Sequence, residues 1–315
     1  MFRNRKFARS WQFIVFTWIV VVLCIVTLYG ELNKRRNKGR QNQPFHKQNE
    51  LPLVTDIFFG VFTCKNYAET YAKAVFETWG KLVEPSMLRF FSDTPHSILP
   101  TVVTPNIDIT NVNSRLKLNY QKHVGHKERY FRQESNRSLQ MFAWAWDHVP
   151  QAKWFYKCDD DSFVRVDLLQ EILRQFDYTQ PLYIGSTRRF RGKLVPVLER
   201  DVSKRTVDVD LRYAMGGAGY VLSRGLLEKW RPLMNQCVVY NGEDKNVAQC
   251  ILDTLHIEPI NLPGLCFVHP DKVDPVSRDS MIAFHQIGGM KDSIELFRRF
   301  YLDRNSFDSG GDVIP

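Results

Sequence analysis

Three consecutive carboxylates, Asp159-Asp160-Asp161, follow the apolar run Trp154-Phe155-Tyr156-Lys157-Cys158 and precede a stretch of helical spacing. A strand that ends on acids just before a helix sets them beyond the carboxyl edge of an open α/β sheet, where such folds bind ligands. Hard cations take oxygen ligands, and clustered carboxylates relieve their mutual repulsion by sharing one. The same residues also suit a solvated turn closed by an Asx cap, so spacing alone leaves both readings open. Gly216-Gly217-Ala218-Gly219-Tyr220 leads into another apolar run. Glycines there either make a tight turn or let a ligand approach the backbone closely, and the G-x-G-x-x-G spacing of dinucleotide sites is absent. Glu243-Asp244 opens a helical pattern, where acids suit the helix dipole and can cap free amides. His285 ends the apolar stretch Met281-Ile282-Ala283-Phe284, ordinarily the place of a hydrogen-bonded core histidine. Arg188-Arg189-Phe190-Arg191 reads either as a solvated run or as a neutraliser of a bound diphosphate.

The elements that must position these groups follow from periodicity. Buried strands are expected at 56–64, 88–91, 154–157, 182–184 and 220–222, and helices at 67–79, 134–149, 166–176, 224–233 and 243–255. Pro150 stops the second of those helices. Residues 100–132 lack periodicity and read as a long excursion. Alternation of this kind predicts an α/β fold whose sheet is mostly parallel and covered on both faces.

Residues 1–50 hold ten Lys/Arg against two Glu, while the remainder holds 33 basic against 32 acidic residues. The basic excess therefore belongs to the N-terminal segment, and no nucleic-acid partner is expected. Residues 11–29 carry no charge; as a helix they would reach about 28 Å, near the thickness of a bilayer's hydrocarbon core. No A-x-A-like cleavage site follows, so a retained anchor is favoured over a removed signal peptide. Basic residues flank both ends of the span, and charge does not fix its orientation. The polar stretch at 30–52 reads as a flexible stem. Asn136-Arg137-Ser138 is a glycosylation sequon. Five cysteines lie outside the span; Cys237 and Cys250 are the expected disulfide, with buried free thiols as the alternative.

The segments WFYKCDDDSFVRVDLL, MGGAGYVLS and GEDKNVAQC, in this order and joined by Glu77-Thr78-Trp79 and Ser92-Asp93, resemble the fringe-like β1,3-glycosyltransferases of glycosyltransferase family 31. The resemblance runs over about residues 53–290 and looks most like the core 1 β1,3-galactosyltransferase branch. It implies a GT-A (Rossmann-like nucleotide-sugar transferase) catalytic domain at 53–315 in the Golgi lumen. The residues before it would be a cytoplasmic tail at 1–10, a type II transmembrane anchor at 11–29 and the stem. It also implies Mn2+, a UDP-sugar donor with UDP-galactose favoured, a glycan or glycoprotein acceptor, and room for a homodimer. Asp159, Asp161 and His285 would be the metal ligands, Asp93, Asp159, Asp160 and Gly217 would line the donor, and Asp244 would be the base. One displacement at the anomeric carbon inverts configuration, giving a β-linked product from an α-linked donor.

The chain departs from the family pattern at Lys245 and Ala248, beside the base, and after Pro263 it lacks the core 1 branch's paired cysteines. Its acceptor therefore does not follow from the resemblance. Two alternatives within the same fold are a fringe-type N-acetylglucosaminyltransferase and a non-catalytic chaperone or adaptor. Retention of Asp159, Asp160, Asp161 and Asp244 speaks against the latter. A membrane-anchored metallophosphohydrolase would need a second His/Asp cluster, which the sequence lacks.

Overall fold

The computed structural model describes residues 53–104, 128–194, 196 and 207–303, with side chains of the long helix described from Asn136 onward. The expected tail, membrane span and stem lie outside them. Among the described residues no helix is long and apolar enough to cross a membrane. The chain divides into Met1–Leu51 and Pro52–Pro315, and all the described residues belong to the second unit.

Its centre is a seven-stranded sheet. In chain order the strands are β1 (Ile57–Phe62), β2 (Leu88–Ser92), β3 (Thr101–Val103), β4 (Trp154–Asp159), β6 (Tyr183–Gly185), β9 (Tyr220–Ser223) and β10 (Ile260–Asn261), arranged in space as β10-β6-β9-β4-β1-β2-β3. All neighbours pair parallel except β9, which runs antiparallel to both β4 and β6. Every residue of β1 and nearly all of β4 is buried. Successive strand side chains point to opposite faces, so both faces of the sheet are covered.

The α-helices of the described residues are α1 (Lys73–Glu77), α2 (Glu128–His148), α3 (Val166–Leu173), α4 (Arg224–Trp230), α5 (Glu243–Leu255), α6 (Pro275–Arg278), which buries none of its residues, and α7 (Met290–Phe297). On α2, Leu139, Phe142 and Ala145 are buried at helical spacing, and the helix ends ahead of Pro150 because a residue before proline is pushed out of the helical region. α4 is shorter than its periodicity suggests. Pro232 has no amide to continue the ladder, and the chain tightens into a 3-10 turn over Arg231–Gln236. A disulfide joins Cys237, at the end of that turn, to Cys250 on α5, with Cα atoms 5.3 Å apart. Cys64 and Cys158 are buried free thiols, and Cys266 is half-buried.

Three features depart from the periodicity. The expected excursion at 100–132 contributes the edge strand β3 and the start of α2, and residues 105–127 lie outside the described set. Arg188-Arg189-Phe190-Arg191 is the middle of a strand, β7 (Thr187–Leu194), which forms a hairpin with β8 (Val207–Ala214). Arg189 and Arg191 are exposed and both bond Asp210 across that hairpin. The basic run is thus half satisfied by its own partner strand, which its charge alone did not reveal. Lastly, β5 (Phe163–Val164) pairs antiparallel with β11 (Ala283–Phe284), a two-residue ladder too short for periodicity to register.

Candidate active site

That short ladder assembles the site. Phe284 pairs with Phe163 and the Ile287 amide donates to the Asp161 carbonyl at 2.9 Å, so His285 is delivered onto the loop that follows β4. Its Nε2 lies 3.1 Å from Asp161 Oδ1 and 3.9 Å from Asp159 Oδ2. Each of the three residues offers a ligand atom within 4.8 Å of the others. Two carboxylates and an imidazole form a donor set that suits Mn2+ and similar divalent ions. His285 Nδ1 faces the Phe267 carbonyl at 3.4 Å. With a cation bound and its proton on that nitrogen, the ring would offer the Nε2 lone pair to the metal, a common arrangement for a ligating histidine. Burial disfavours charge on His285, yet the hydrogen bond and charge of Asp161 outweigh it and hold its pKa above the ordinary histidine value. Burial raises the Asp159 pKa, and Asp161 adds to that, against the pull of Lys157 and His285. Two acids and a histidine competing for protons in this way fit a site that a cation would relieve.

Gly217 makes the approach of His285 possible. A Cβ at that position would sit 2.4–2.6 Å from three atoms of the His285 ring. The Gly217 carbonyl also accepts from the Asp159 amide at 3.2 Å and from Ser162 Oγ at 2.8 Å. Gly217→Ala is therefore expected to displace the imidazole from the two acids and to weaken any divalent cation the three residues hold by about tenfold or more, measured by metal titration; unchanged affinity would show that the His285 ring is not a ligand. Gly219 has φ +99, and a Cβ on it would meet the Lys157 carbonyl at 2.4 Å, so no other residue fits the turn into β9.

Asp160 points the other way. It is buried, and its Oδ2 accepts from Thr63 Oγ1 at 2.6 Å; burial pushes its pKa well up. It thus ties the ends of β1 and β4 together and supports its neighbours. Asp93 lies just past β2, at the same sheet edge, with Oδ1 accepting from the Lys65 amide at 2.9 Å. The described contacts do not join it to the acidic triplet.

Lys157 is the residue that periodicity overlooked. It is 2% exposed, with its ammonium 2.7 Å from Asp159 Oδ1, 3.0 Å from Glu243 Oε2 and 3.2 Å from the Gly216 carbonyl. Burial disfavours its charge, but Asp159 and Glu243 raise its pKa above that of free lysine. Glu243 in turn accepts from Tyr220 Oη at 2.6 Å and from Ser138 Oγ. With three partners and little exposure it is a structural hub, and is not free to take a proton from a substrate. Glu243→Ala should cost about 3–5 kcal/mol, the range for breaking one side of a buried pair. An unfolding free energy from denaturant titration lowered by less than about 1 kcal/mol would contradict this. The visible signal was a lysine inside a continuous apolar strand, since buried lysines are nearly always paired. Trp79 was likewise legible only as a motif member; its Nε1 donates to the Ser162 carbonyl at 3.0 Å and pins the loop behind Asp161.

Asp244 occupies the second position of α5, after the cap residue Gly242 at φ 86. Its Oδ1 accepts from the Lys245 amide at 2.9 Å and its Oδ2 faces the Gly216 amide at 3.4 Å. The side chain is 19% exposed. Burial raises its pKa above the ordinary carboxylate range, with Lys245 opposing and Glu243 adding. The partial capping bond and the half-buried, elevated-pKa carboxylate coexist. Gly216 adjoins Gly217, so Asp244 and His285 contact neighbouring residues of one turn. Asn136 lies half-buried on α2, while Arg137 and Ser138 of its sequon are buried.

The Fringe-like family model matches residues 53–302. Chondroitin sulfate synthase 3 of Homo sapiens is 26% identical over 206 residues, 62% of this chain and 20% of that protein. β-1,3-N-acetylglucosaminyltransferase lunatic fringe of Homo sapiens is 29% identical over 230 residues, 70% of this chain and 55% of the relative. Fringe glycosyltransferase of Drosophila melanogaster is 26% identical over 214 residues, 66% of this chain and 48% of the relative. The chain thus matches about a fifth of the synthase and about half of each fringe protein.

Proposed function

The chain belongs to the Fringe-like family, and from that premise we propose that it is an inverting, metal-dependent glycosyltransferase of GT-A type that moves a hexosyl group from a UDP-sugar to a glycan or glycoprotein in β1,3 linkage. The convergence of Asp159, Asp161 and His285 carries this reading. These residues would hold Mn2+, which when bound supplies the positive charge that a departing diphosphate needs. Asp244 takes the proton of the acceptor hydroxyl as the new bond forms at the anomeric carbon. Asp160, through Thr63, keeps the loop bearing its two neighbours in place, and Asp93 faces the nucleoside.

Two donors are in contention. Likeness to the core 1 branch favours UDP-galactose, whereas the names of the fringe relatives favour UDP-N-acetylglucosamine for them and, by extension, here. Incubating the full chain and Mn2+ with each UDP-sugar and a panel of sugar acceptors decides between these donors. NMR of the product should show a β-linkage formed from the α-linked donor. An α-linked product, or no transfer from any UDP-sugar, would overturn the reading.

The reading includes a type II Golgi anchor at 11–29 and a lumenal catalytic domain, with Asn136 in the lumen. In sealed microsomes the domain should then resist added protease. Digestion without detergent would place it on the other side.

A further inference from the structure

Lys245 is out of place by helix physics. It stands in the first turn of α5, where the dipole disfavours a cation by a few tenths of a kcal/mol or more. Yet its ammonium is held firmly. It lies 5.4 Å from the ring centre of Phe190 on β7 and 5.3 Å from that of Tyr213 on β8, within the range of cation–π attraction. From that bracket it sits 3.6 Å from Asp244 Oδ1, with the lysine 26% and the aspartate 19% exposed. Packed between these two hairpin rings, Lys245 therefore presents its positive charge to this carboxylate.

We propose that Lys245 is a positioning residue for the transfer reaction: its ammonium, braced by Phe190 and Tyr213, keeps the Asp244 carboxylate ionised and turned toward Gly216. This rests on the function proposed above. Of the other charged and titratable groups around Asp244, only Lys157 also favours its ionised form, and more weakly. Glu243 precedes it on α5 and repels it; Lys157 on β4 is committed to Asp159 and Glu243. Tyr183 on β6 and Tyr213 on β8 both have raised pKa values, chiefly through burial and then in part through Asp244, and stay neutral. Arg188 on β7 acts on Tyr213 and stacks on Phe267 at 4.2 Å. Lys245 is the cation whose reach ends on Asp244.

The sign follows directly. A base works deprotonated, and removing a nearby cation makes deprotonation harder. In the full chain, Lys245→Met and Lys245→Gln should move the acid limb of the kcat/KM profile to higher pH. Activity should fall several-fold below the limb and return near the unmodified level at alkaline pH, with UDP affinity unchanged. Lys245→Arg should restore the limb. A limb that stays put in either neutral variant overturns the proposal, as does an equal loss at every pH. Failure of both neutral variants to fold would make Lys245 a structural anchor instead. Absence of transfer by the unmodified chain would instead sink the function itself, and this proposal with it.

Discussion

Replacing Asp161 by alanine should abolish metal-dependent transfer while leaving the protein folded. The side chain is 31% exposed and approaches His285 Nε2 at 3.1 Å. The tie that organises the loop, from the Ile287 amide to the Asp161 carbonyl, uses backbone and survives the change. Changes to groups that only support a metal's ligands already cost 10–100-fold, so loss of a ligand should cost at least roughly a hundredfold. Thermal unfolding of the variant should stay close to that of the unmodified protein. Substantial activity in Asp161→Ala would remove the acidic triplet from the chemistry and return it to the solvated turn that its spacing equally allows.

Asp244→Asn should have the next largest effect, a loss of about 10²–10⁴-fold in transfer rate. The amide keeps the shape of the side chain and an oxygen that can accept from the Lys245 amide, as Asp244 Oδ1 does at 2.9 Å. Asparagine caps helices as well as aspartate, so the N-terminus of α5 should be undisturbed. What is lost is the ability to take a proton. UDP-sugar affinity should be preserved, because the metal-site carboxylates are untouched. If Asp244 only caps the helix, transfer should barely change, and that result would remove it from the mechanism. Glu243 would not replace it, for its carboxylate is held by Lys157, Tyr220 and Ser138.

The pH dependence has a definite sign. Burial raises the Asp244 pKa, and the base works only when deprotonated. Activity should therefore fall as pH drops through a limb lying above the usual carboxylate range, and Asp244→Asn should abolish that limb.

Much of this arrangement was legible in the residues, for identifiable reasons. The strands β1, β2, β4 and β9 are buried on both faces and so read as continuous apolar runs. The acids at the end of β4 needed only the rule that ligands gather beyond strand ends. His285 could not be placed from its own neighbourhood. A two-residue ladder between β5 and β11 carries it to Asp161 across more than a hundred residues, and so short a strand leaves no periodic trace. The β7–β8 hairpin was hidden for a related reason: its outer face alternates charges, so its sequence reads as a solvated run. Lys157 and Lys245 showed themselves only as charges in the wrong place, one in a strand core and one at a helix N-terminus. Each has one partner close by in sequence, Asp159 and Asp244, but Glu243 beside Lys157 and the Phe190 and Tyr213 rings beside Lys245 come from other elements, which sequence spacing cannot supply.

The most direct test measures UDP release by the full chain with a sugar acceptor, first in Mn2+, then in excess chelator, then after Mn2+ is restored. The site built from Asp159, Asp161 and His285 predicts acceptor-dependent UDP release that stops in chelator and returns with the metal. Release that continues undiminished in saturating chelator would contradict it.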